Sequence, residues 1–61
     1  MNNYYYTENA VFETIEEAKE WIQHLPVAQV WECRSGLTFA EFDQEFENVG
    51  SEGIFTTRIV N

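Results

Sequence analysis

Apolar positions along this chain change period several times, and each change marks an element. Tyr4-Tyr5-Tyr6-Thr7 and Ala10-Val11-Phe12 concentrate aromatic and β-branched side chains, which suit a pleated surface. They predict a first strand, with Glu8-Asn9 bulging or ending it. Ile15, Ala18, Ile22 and Leu25 then recur at helical spacing, with Trp21 beside Ile22, and draw one apolar stripe. Thr14 followed by Glu17 has the capping-box spacing that starts a helix, and Pro26 should stop it. Val27 to Arg34 is β-prone and closes on the turn residues Ser35-Gly36, which gives a second strand. Thr38 and Glu41 repeat the capping-box spacing, Leu37 and Phe42 occupy the staple positions, and Phe39, Phe42, Phe46 and Val49 follow a helical period. The spacing predicts a short second helix over 39–47. A loop at Gly50-Ser51-Glu52-Gly53 leads to a third strand, Ile54 to Val60. The expected fold is α+β: one domain over 1–61, ordered β-α-β-α-β, with a three-stranded, mainly antiparallel sheet and two short helices.

Composition narrows the picture. The 61 residues are 44% hydrophobic and 16% aromatic, so the chain carries enough apolar matter to fold and is no solvated linker. A single core below roughly 70 to 80 residues supplies only about 3 to 5 kcal/mol, and the lone Cys33 can make no internal disulfide. Dimerisation through some of the aromatic residues, or a partner-binding apolar surface, is therefore expected. No apolar run is long enough to span a membrane, and the start Met1-Asn2-Asn3-Tyr4 lacks a basic and hydrophobic leader, so a cytoplasmic location is expected.

Catalytic patterns are missing. There is no glycine-rich phosphate loop, no His-Glu metal motif and no Ser-His-Asp signature, so neither an enzyme nor a cofactor or metal site is expected. His24 falls in the last turn of the first helix, where an imidazolium favours the negative end of the helix dipole. Cys33 reads as a small apolar strand residue.

Charge carries more information. Eleven Asp and Glu against three Lys and Arg give a formal net charge of -8. Glu13, Glu16, Glu17 and Glu20 form one acidic stripe with only Lys19 interrupting it, and Glu41, Asp43, Glu45 and Glu47 lie among the phenylalanines of the second helix. One reading is a solvated face that aids solubility. The other compares magnitudes. Duplex DNA carries one charge per ~1.7 Å, so eleven carboxylates match roughly 19 Å of duplex, and a compact domain with a radius of gyration of about 10.5 Å presents its charge over a comparable length. This field repels nucleic acid and anionic membranes and steers the protein towards the basic groove of a DNA-binding protein.

The segment Trp31-Glu32, Gly36-Leu37-Thr38, Glu41-Phe42-Asp43 and Phe46 resembles the small acidic uracil-DNA glycosylase inhibitors encoded by Bacillus podoviruses. That family has an aromatic-Glu pair in a strand, then Gly-Leu-(Ser/Thr), an acidic-Phe-acidic step, and an aromatic residue four positions after the Phe. The resemblance covers about residues 31–60; Asp43 stands where the family has a longer acidic residue, and Phe46 where it has a tyrosine. It implies a homodimer with an apolar pocket for the side chain that the glycosylase inserts into DNA, with carboxylates standing in for phosphates. Phe42, Asp43 and Phe46 would be the inhibitory residues; on charge, and apart from the resemblance, Glu41, Glu45, Glu32, Glu13, Glu16, Glu17 and Glu20 are expected as further partner-binding groups. The function expected is stoichiometric occlusion of a host enzyme's DNA groove, first of all that of uracil-DNA glycosylase. The alternatives are a DNA mimic aimed at an HU-type nucleoid protein, RNA polymerase or a defence nuclease, and an acidic dimeric adaptor. The phenylalanine stripe reads equally well as ordinary core.

Overall fold

A computed structural model describes residues 1–25 and 29–60. Pro26, expected to stop the first helix, and Val27 and Ala28, expected to begin the second strand, lie outside the described residues. The elements are β1 (Asn2–Tyr6), β2 (Val11–Phe12), α1 (Ile15–Ile22), β3 (Trp31–Ser35), α2 (Phe39–Val49), a 3₁₀ turn (Ser51–Gly53) and β4 (Arg58–Ile59). All pairings are antiparallel and the spatial order is β2-β1-β3-β4.

The fold is thus α+β, as expected, with four strands in place of three. The extra strand comes from dividing the first predicted one. Glu8 and Asn9 sit in a tight connection closed by the Thr7 amide on the Ala10 carbonyl (2.9 Å), with Tyr6 opposite Val11 and Tyr5 opposite Phe12. At the other end of the chain β4 keeps only Arg58 and Ile59, although the Thr57 amide still donates to the Glu32 carbonyl at 2.7 Å.

Both helices begin where the threonines place them. At α2 the box is complete: the Thr38 hydroxyl accepts from the Glu41 amide (3.2 Å) and the Glu41 carboxylate from the Thr38 amide (2.9 Å). At α1 it is half made, because Glu17 accepts from the Thr14 hydroxyl (3.1 Å) and not from its amide. That helix ends at Ile22, short of Leu25, and Glu13 precedes its cap, so the predicted acidic stripe is helical only from Glu16 onward. α2 runs to Val49, two residues beyond the predicted end. It stops at Gly50, whose φ of 73° with ψ near 177° is open to glycine and strained for other residues.

Strand alternation assigns the helices to the sheet. Tyr4, Tyr6 and Cys33 point to one face, where with Phe42 they form the buried core; Phe39 and Phe46 of α2 pack against it. Tyr4 stacks on Phe42 with ring centroids 4.9 Å apart, and Tyr6 meets the edges of Phe42 and Phe46. Tyr5 points the other way, and Phe12, its cross-strand partner, carries the Trp21 ring of α1 at 6.0 Å. The helices therefore lie on opposite faces of the sheet. The Tyr6 hydroxyl shares a 2.6 Å hydrogen bond with the Thr56 hydroxyl and so ties the C-terminal segment to the core.

Candidate partner-binding surface

Ten of the eleven carboxylates are exposed. Glu16, Glu17 and Glu20 stand on α1, and Glu41, Asp43, Glu45 and Glu47 on α2. Glu8 in the hairpin connection, Glu13 ahead of the α1 cap and Glu52 in the 3₁₀ turn complete the set. Because the helices flank the sheet, negative charge covers both sides of the molecule. Residues 54–60 differ: they hold no carboxylate, one arginine, and the exposed apolar side chains Phe55 (86%) and Ile59 (59%).

The long axis is 30 Å and the radius of gyration 10.6 Å. Eight net charges along that axis give one per roughly 3.8 Å, close to the ~3.4 Å of a single DNA strand and about half the density of the duplex. In linear charge the domain matches one strand of a double helix.

Two of the partner-binding residues expected from sequence are not surface groups. Phe42 is 1% exposed, held between Tyr4 and Tyr6 at the centre of the core. It cannot anchor a partner while the domain stays folded. Glu32 is 6% exposed and is taken by Arg58, whose Nε and Nη2 donate to its two oxygens at 3.1 and 3.3 Å. This is the one ion pair among the described residues, and it links β3 to β4. Glu41 is exposed, but its carboxylate closes the α2 cap, and the Thr38 amide holds it below the usual carboxylate range. Asp43 and Glu45 are exposed, with Phe46 half-buried beside Tyr6, so this trio and the α1 glutamates keep accessible groups.

The sequence stripe did not separate Trp21 from the core, yet Trp21 is 46% exposed. It forms a wall common to two clefts. One, of about 530 Å³, is lined by Thr7, Glu8, Asn9, Trp21, Leu25, Gln29 and Trp31. The other, of about 330 Å³, is lined by Phe12, Glu17, Glu20, Trp21 and His24. The missed signal was local: Trp21 lies beside the stripe defined by Ile15, Ala18 and Ile22, and only Ala18 of α1 is fully buried.

Three acids on the sheet are shifted upward. Burial raises the Cys33 thiol and the Tyr6 phenol, and burial followed by the neighbouring Glu32 carboxylate raises Tyr5. Each holds its proton in the folded state past its ordinary value, 9.0 for the thiol and 10.0 for the phenols. Once pH passes those values the folded state binds more protons than the unfolded one, so stability falls as pH rises. Urea midpoints should hold near neutrality and decline from about pH 9, and Cys33→Ala should delay the onset of that decline. A midpoint unchanged up to pH 10.5 would contradict the burial of these groups.

Among the described residues no three His, Cys, Asp or Glu side chains group as metal ligands, and no helix is long and apolar enough to cross a membrane. No family profile, curated protein or solved structure matches the chain.

Proposed function

We propose that the protein is an acidic mimic of the nucleic-acid backbone that blocks a host DNA-binding protein by stoichiometric occupation of its basic groove. The observation that carries this reading is the exposure of ten carboxylates on both faces of a 30 Å domain, against only Lys19 and Arg34 as cations outside the Glu32–Arg58 pair. Uracil-DNA glycosylase is the first target, because the segment from Trp31 to Phe46 resembles its podoviral inhibitors. Attraction of this kind raises encounter rates and needs no enzymatic chemistry in the mimic.

The position of Phe42 favours a version led by charge over one led by an apolar pocket, and an HU-type nucleoid protein, RNA polymerase or a defence nuclease would suit that version equally. A homodimer would meet least repulsion at the carboxylate-free β4 edge, where Phe55 and Ile59 are exposed. The adaptor reading keeps the dimer and gives the acidity no role.

The test is a titration into a uracil-excision assay, with the enzyme concentrated enough to show stoichiometry and the protein added before substrate. Complete inhibition at a fixed ratio is expected, and the ratio reports one or two chains per enzyme. Unimpaired excision at a large excess would remove the glycosylase and direct the search to the other basic targets.

A further inference from the structure

The cleft of about 330 Å³ between β2 and α1 joins an apolar wall to a charged rim. Phe12 and Trp21 supply the wall, their ring centroids 6.0 Å apart and their planes inclined at 50°; Glu17, Glu20 and His24 complete the lining. Trp21 is held on one side by Phe12 and is 46% exposed, so indole surface is left facing outward. Glu17 lies one helical turn before Trp21, and a helical side chain leans back over the turn that precedes it, which brings the indole towards that carboxylate. Glu17 accepts one hydrogen bond from the Thr14 hydroxyl, and a carboxylate has about four acceptor sites, so acceptor capacity is left.

We propose that this cleft receives an arginine side chain of a basic partner protein, with the guanidinium over the Trp21 ring and its N–H groups directed to Glu17 and Glu20. Charge complementarity selects this occupant. An apolar segment would leave two carboxylates beside it without counterions, whereas a guanidinium satisfies both the ring face and the carboxylates. The larger cleft on the other side of Trp21 has one carboxylate, Glu8, and offers the cation less. The proposal rests on the basic-target reading and names one anchor within it.

The probe is a nona-arginine peptide titrated at low salt into the isotope-labelled protein, with a nona-citrulline peptide as the uncharged control. The Trp21 indole N–H resonance should move saturably with the arginine peptide and stay in place with citrulline. Trp21→Leu, which leaves the net charge at -8, should weaken arginine-peptide binding about five- to tenfold. A second pair of variants removes dependence on that substitution's folding. Glu17→Gln with Glu20→Gln should abolish the Trp21 response, while Glu45→Gln with Glu47→Gln, of the same net charge, should preserve it. Equal affinity of wild type and a folded Trp21→Leu for nona-arginine would overturn the arginine site and leave charge-led mimicry standing. Failure of the wild type to bind nona-arginine at all would overturn both.

Discussion

Phe42→Ala should leave the chain largely unfolded at room temperature. Truncating a buried phenylalanine costs about 3 to 5 kcal/mol, and a core of this size supplies about the same. The site cannot collapse cheaply, because the ring is stacked on Tyr4 at 4.9 Å and meets the edge of Tyr6. Circular dichroism and urea titration should show lost cooperativity for Phe42→Ala, while Phe42→Leu, which retains most of the volume, should still fold with a lowered midpoint. The result decides how inhibition data are read. If Phe42→Ala fails to inhibit because it fails to fold, it says nothing about an interface, and Phe46→Ala becomes the informative variant. A folded Phe42→Ala of unchanged midpoint would mean that the ring lies outside the monomer core.

Neutralising the α1 side should have the largest effect on association. Replacing Glu13, Glu16, Glu17 and Glu20 with glutamine takes the net charge from -8 to -4. At low salt, association with a basic target should slow by about 10- to 100-fold, with the difference vanishing towards 1 M salt, where the screening length falls to about 3 Å. Stability should change little. The substitutions relieve the one like-charge pair at i and i+4 within the helix, Glu16 with Glu20, but remove Glu16 and Glu17 from the first turn, where the helix dipole favours them. Stopped-flow association across a salt series measures the effect. Equal rates for the two proteins at low salt would show that α1 does not face the target.

How far the fold could be read from the residues depended on how local its causes are. α2 was legible because Thr38, Glu41 and the phenylalanine spacing all act within a few residues of one another. The β1–β2 hairpin was not, since β2 is two residues long and its strand character comes from pairing with Tyr5 and Tyr6. The length of β4 depends likewise on which residues of 54–60 reach β3, and no periodicity encodes that. At the surface, the carboxylates of α1 and α2 were visible from composition. The burial of Glu32 was hidden because its counterion, Arg58, lies on another strand, 26 residues away. The stripe through Phe39, Phe42 and Phe46 could be read as core or as interface, and only the tyrosines of β1 assign Phe42 to the core.

The lack of carboxylates in residues 54–60 has a consequence for motion in solution. The exposed acids all lie within residues 8–52, and the edge strand β4 and its neighbours in 54–60 carry none. A basic surface is therefore attracted least through that edge and more through either helix-bearing face. Encounters led by β4 are disfavoured during diffusion, before any side chain touches.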